Sequence, residues 1–235
     1  MSKKDEVFIF ENKYNMDDRR PKSVVFLEKF ASYCMLIVFF CSLPLCLFHL
    51  FFYRALVIGP SMQPTFNVNL KDDDDYLNSI YKDVVVVYRY DKGSCGDIIL
   101  CKYNGETLVK RLIALPCQKI TLRQNGLTDT FSYYIDDEKI SEPYLKENAL
   151  AMNTQYYFLF CETFGLAING GEASIIVPEG KAFILGDNRA KSKDSHLFGF
   201  VNLDDFEGKV SFYYRYDQNL FTYLLSEIGK WLGIV

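Results

Sequence analysis

The 235 residues carry 26 Lys and Arg against 30 Asp and Glu, a net charge of −4 at pH 7, so no basic field gathers a phosphate backbone and no nucleic-acid partner is expected. That length suffices for one globular unit with a core, plus an anchor. Two His, one of them inside an apolar run, are too few for a His-rich catalytic metal site, and an aromatic share of 16% favours strands over helices in the soluble part.

The first element in chain order is Phe30 to Tyr53, 24 consecutive residues without Asp, Glu, Lys or Arg. About 20 apolar residues cross the hydrocarbon core of a bilayer as a helix, so a transmembrane helix is expected over 30–53. The run ends in the bulky Phe51, Phe52 and Tyr53 and lacks a small-residue cleavage site, which argues for a retained anchor rather than a cleaved leader. Lys3, Lys4, Lys13, Arg19, Arg20, Lys22 and Lys29 precede the run and Arg54 alone follows it closely. Basic residues stay on the cytoplasmic side, so residues 1–29 are expected in the cytoplasm and everything after the anchor across the membrane.

Cys34, Cys41 and Cys46 lie inside the apolar run, where Cys acts as a small hydrophobe. Cys95, Cys101, Cys117 and Cys161 show no CxxC or ligand spacing, which argues against zinc and leaves one disulfide among them open. The acidic run at 72–75 reads as a solvated loop. Beyond it, β-like runs follow one another: 84–90, 97–103, 107–115, 119–123, 133–135, 156–160, 174–177, 183–185 and 210–216. The pattern predicts an antiparallel sandwich or barrel. Residues 220–235 are apolar with Glu227 and Lys230 inside, and read as a helix lying on a membrane surface or against the domain.

Three stretches carry chemistry. In GPSMQPTF, residues 59–66, Ser61 is fenced by Gly59, Pro60 and Pro64, a stiff turn that can present a hydroxyl. In ETLVKRLIAL, residues 106–115, alternation puts Lys110 and Arg111 on opposite faces of a strand, with one of them pointing inward. A buried lysine loses its proton more readily and can then act as a base, whereas an arginine cannot. In VPEGKAFILGDNRAKSKDSHLFGFV, residues 177–201, Asp187, Asn188, Arg189, Ser192, Asp194, Ser195 and His196 crowd one polar turn that can scaffold a site.

Together these stretches resemble the type I signal peptidases, the Ser-Lys leader peptidases of family S26. The resemblance rests on SMQPT at 61–65, GDII at 96–99, KRLIALP at 110–116, EPYL at 142–145 and GDNRAKSKDSHLFGFV at 186–201. It implies Ser61 as nucleophile, Lys110 as general base and Ser192 orienting the lysine amine. Asp187, Arg189 and Asp194 would hold the turn, and Met62 would contact substrate beside an apolar surface lying on the membrane. The implied fold is mostly β: a transmembrane helix, then an antiparallel barrel or sandwich-like catalytic domain with a β cap subdomain. The implied division is a catalytic core at 54–118 and 178–217, a cap at 119–177 and a membrane-associated helix at 218–235. The implied partners are preprotein signal peptides and the lipid bilayer, with no cofactor and no metal, acting as a monomer in a bacterial cytoplasmic membrane with the catalytic domain outside.

The chain departs from the family pattern at three places. His196 stands where Arg is usual after the DS pair, which weakens the expected ion pair and offers an alternative base. Gly59 offers no hydroxyl and Pro60 no N–H to an oxyanion, and ALPCQK replaces the common GLPGD. Two competing readings remain: a mitochondrial inner-membrane-type peptidase, and a membrane-tethered β binding module without activity.

Overall fold

The computed structural model describes residues 21–68, 82–145, 152–168, 170–215 and 223–224. The acidic run at 72–75, most of the cytoplasmic segment at 1–29 and nearly all of the C-terminal helix expected over 218–235 lie outside the described residues. The chain divides into two compact units, residues 1–50 and 51–235.

The described part of the first unit is helical. Helix α1 (Lys22–Phe51) is 30 residues long, has Pro44 inside it and buries none of its side chains within the chain. It is long and apolar enough to cross a membrane. Its bounds differ from the expected 30–53. The helix starts eight residues earlier because polar residues extend it without needing to be buried, and it stops at Phe51 because strand β1 (Phe52–Leu56) begins at the next residue.

The second unit is mostly β, as expected. Further strands are β2 (Asp83–Tyr88), β3 (Ile98–Tyr103), β4 (Glu106–Ala114), β5 (Lys119–Gln124), β6 (Phe131–Ile135), β7 (Glu138–Lys139), β8 (Glu172–Ile176), β9 (Lys181–Leu185), β10 (Val201–Asn202) and β11 (Phe206–Arg215). Seven form one sheet in the order β1-β2-β11-β3-β4-β9-β10, four form another in the order β7-β6-β5-β8, and each described strand pair is antiparallel. The larger sheet is open rather than closed into a barrel. Its last strand in sequence, β11, lies near the middle, between β2 and β3.

Local sequence explains the elements. Val84 to Val87 are all buried, a continuous apolar run suited to an inner strand covered on both faces. Asn104 and Gly105 both have positive φ, the backbone a tight hairpin needs to join β3 to β4. One expected strand is a helix. Residues 156–160 belong to α2 (Thr154–Phe164), capped by the Asn153 side chain at one end and by left-handed Gly165 at the other. Its buried side chains, Tyr156, Tyr157, Phe160 and Cys161, recur at helical spacing. Aromatic residues alone suggested a strand; the caps and that spacing decide otherwise.

Three apolar clusters hold the unit together. The first joins the smaller sheet and α2 to Ile113, Ala114, Phe183 and Leu185 of β4 and β9. The second lies around Ile99, Cys101, Leu112 and Ile184. The third gathers Val57, Met62 and Phe66 against Val85, Val87 and Leu100, so the segment after β1 is pinned by its own apolar side chains. All seven cysteines are free, so no disulfide contributes.

Candidate active site

The segment that carries Ser61 is a compact turn. Gly59 takes a positive φ, the Gln63 N–H donates to the Pro60 carbonyl at 3.1 Å, and the Phe66 N–H donates to the Met62 carbonyl at 2.9 Å. Asn67, fully buried, laces the turn to its neighbours: its amide donates to the carbonyls of Val57 and Gly59, and it exchanges two hydrogen bonds with Asp83 at the start of β2. Sequence reasoning passed over Asn67 because its partners lie up to 16 residues away and no local spacing reveals them.

Met62 is 1% exposed and packed in the third cluster. Burying a thioether side chain of that size stabilises the turn.

Strand β4 supplies the two cations. Lys110 stands opposite Ile99 on β3, and Arg111 stands opposite Ile98 on β3 and Leu185 on β9. The expectation that one of them points inward understates the burial, since Lys110 is 3% and Arg111 9% exposed. Arg111 is buried because it is fully partnered: Nε and Nη2 donate to the two oxygens of Asp187 at 2.8 and 2.6 Å, and Nη1 donates to the Gly96 carbonyl at 2.7 Å. Lys110 has no such ion pair among the described residues. Burial pushes its ammonium below the ordinary lysine value, while the charges of Asp194 and Asp187 act in the opposite sense.

After β9 the chain turns at Gly186 and runs through the polar cluster. Asp187 is fully buried and takes a hydrogen bond from the Thr65 hydroxyl as well as the Arg111 fork. Arg189 is buried, donates from Nε to the Gly186 carbonyl at 3.1 Å, and pairs with Glu142. Asp194 is fully buried; one oxygen accepts from the Gly186 N–H at 2.8 Å and the other meets His196 Nδ1 at 2.6 Å. Burial alone would raise its carboxyl, but the bonds from His196 and Gly186 outweigh that and hold it below the usual value. His196 sits in the short helix α3 (Ser195–Phe198), stacked on Tyr156 with ring centroids 4.2 Å apart. Asp194 thus keeps a close partner at the position where Arg is usual. His196 faces Asp194 and Tyr156, and no hydrogen bond joins it to Ser61 among the described residues.

The three stretches meet at one place. The Asn188 N–H donates to the Ser61 carbonyl at 3.0 Å. A side chain on Gly186 would press into Ser192 and come within 2.5 Å of the Ser61 carbonyl, so only glycine lets these parts approach. The Ser192 hydroxyl is buried with no hydrogen-bond partner among the described residues; it lies near enough to Asp194 to favour the ionised carboxylate without the geometry of a bond. No hydrogen bond joins the Ser61 hydroxyl to Lys110 among the described residues, and contacts between nucleophile and base often tighten only once substrate is bound. Among the described residues no group of three or more His, Cys, Asp or Glu could hold a metal ion. The arrangement can supply a hydroxyl, a disfavoured ammonium and a rigid polar turn beside both.

Comparison with known proteins gives the same grouping. The family described as signal peptidase, peptidase S26, matches residues 30–215. Signal peptidase I U of Bacillus subtilis (strain 168) is 36% identical over 166 residues, covering 69% of this chain and 75% of that protein. Signal peptidase I of Bacillus licheniformis is 35% identical over 146 residues, covering 61% of this chain and 66% of that protein, so the chain spans about two thirds of its length. A solved signal peptidase I from Enterococcus faecalis V583 is 28% identical and covers 51% of this chain and 97% of that chain, at a TM-score of 0.34 that carries no weight for the fold. With an apolar helix able to anchor it in a membrane and an S26 match from that helix to the end of β11, the chain belongs to the signal peptidase family, peptidase S26.

Proposed function

We propose that the chain is a membrane-anchored serine endopeptidase that removes signal peptides from exported preproteins, with Ser61 as nucleophile and Lys110 as general base. The observation that carries the assignment is Lys110: a buried lysine without an ion pair among the described residues, on the strand next to the turn that contacts Ser61. Such an amine is neutral more often than a solvated one and can accept a proton.

Neutral Lys110 takes the proton of the Ser61 hydroxyl, and the oxygen attacks the carbonyl carbon of the peptide to be cut. The tetrahedral intermediate collapses to an acyl-enzyme, the new amino terminus leaves with a proton from the Lys110 ammonium, and water then releases the acyl group as a free carboxylate. Ser192 orients the amine, while Asp187, Arg189 and Asp194 hold the turn. The Ser61 N–H is a donor available to the oxyanion, since Pro60 has none. No cofactor enters these steps. The basic residues before α1 favour a cytoplasmic N-terminus and a catalytic unit outside, acting as a monomer on preproteins at the bilayer.

The full chain in detergent is expected to cleave a preprotein after a small-x-small motif. Ser61→Ala and Lys110→Ala are each expected to abolish cleavage, read as the mature band on a gel. Full activity in either variant would sink the dyad, and a wild-type chain with no cleavage and no Ser61 acylation would point to an inactive binding module.

A further inference from the structure

Two arginines from different parts of the chain grip the turn that touches Ser61. Arg111 holds Asp187 by a two-pronged contact, and Arg189 reaches back to the Gly186 carbonyl. Both guanidinium groups meet the same tripeptide of a third segment, Glu142-Pro143-Tyr144. The Arg111 Cζ lies 3.7 Å from the centre of the Tyr144 ring, and Glu142 is ion-paired with Arg189. The Tyr144 hydroxyl donates to Glu142 at 2.9 Å, which closes the ring of contacts.

The chemistry of these groups gives the contacts a direction. A guanidinium is a flat fork whose donors lie in its plane, so a ring stacked on its face fixes that plane and leaves the N–H groups free to bond. For Arg111 those in-plane bonds go to Asp187 and Gly96. Asp187 also accepts from Thr65, four residues after Ser61, and the next residue, Asn188, donates to the Ser61 carbonyl. Burial raises the Tyr144 phenol well above its ordinary value, with the Glu142 charge adding to the effect, so it stays protonated and remains a donor.

We propose that Glu142 and Tyr144 are positioning residues: a clasp that sets the planes of Arg111 and Arg189 and, through Asp187 and Asn188, the place of the Ser61 turn. This rests on Ser61 being the nucleophile. Neither residue touches the reacting atoms; each acts through an arginine.

The test uses full-length wild type, Tyr144→Leu, Tyr144→Phe and Glu142→Gln in detergent, with a preprotein substrate and active sites counted by a serine-acylating inhibitor. Because a misplacement on the order of 1 Å can cost about 100-fold, Tyr144→Leu is expected to lower kcat per counted site about tenfold or more, with KM within about twofold of wild type. Tyr144→Phe restores the ring and is expected to recover kcat to within about threefold, given that the stacked face carries the contact. A Tyr144→Leu chain with fewer active sites or a lower melting temperature but unchanged kcat per site has lost only stability, and that result overturns the proposal. So does a Tyr144→Phe chain no better than Tyr144→Leu. Should Tyr144→Leu fail to fold, Glu142→Gln, of the same size without the charge, is judged by the same fall in kcat per site. An active wild type with indifferent variants sinks the clasp alone, whereas a wild type neither cleaving nor acylated at Ser61 sinks the nucleophile assignment and the clasp with it.

Discussion

A lysine amine is a base only once its proton has left, and everything around Lys110 bears on that loss. Burial lowers its proton affinity from the ordinary value of 10.5, and the two buried carboxylates restore only part of it. Between the lowered value and 10.5 the unfolded chain holds a proton that the folded chain has shed, so the contribution of this group to stability rises with pH across that window. Lys110→Met is therefore expected to be more stable than wild type at low pH, by a margin that shrinks as pH rises toward 10. Urea unfolding in detergent at several pH values measures it, and a margin that does not change with pH would contradict a buried, proton-shedding lysine. The same residue shows what the sequence could convey. Ser61 and Lys110 stood out only together: a serine fenced by prolines and a lysine in an apolar strand each read more simply as ordinary loop or surface residues, and their order along the chain with GDII and the polar turn singled them out. The burial of Arg111 was not legible, because its partners Asp187 and Tyr144 lie 76 and 33 residues away, and only the folded sheet brings them together.

At the scale of elements, strands were read well wherever β-branched residues and turn signals agreed, as in β2 and in the hairpin between β3 and β4. Helix α2 was missed because Tyr156 to Phe160 is as aromatic as any strand in the chain, and strand propensity reflects packing on a half-buried surface more than the backbone itself. The deciding signals were its ends. Asn153 accepts a hydrogen bond from the Tyr156 N–H at 3.1 Å, and Gly165 takes the left-handed conformation that closes a helix. Removing that cap by Asn153→Ala is expected to cost about 1 kcal/mol, seen as a lower urea midpoint with an unchanged slope. A cost of zero would mean that packing of Tyr156, Tyr157 and Phe160 alone holds the helix. The segment 140–145, which has almost no regular structure, does more for the site than its pattern suggests, because it spans two arginines that no local rule links.

At the scale of the molecule, the order of strands matters more than their number. Ser61 lies between β1 and β2, and Lys110 lies on β4; β11 is the strand that joins β1 and β2 to β3, β4 and β9 within one sheet. A chain stopped after Asp205 keeps both residues and the polar turn but lacks the joining strand. Such a chain is expected to show neither cleavage nor acylation of Ser61, measured with a serine-reactive probe on a truncated chain, and labelling as fast as the complete protein would refute it. β11 is the last described strand in the chain yet lies near the middle of the sheet, so a growing chain holds Ser61 and Lys110 before the strand that unites their parts of the sheet has been made.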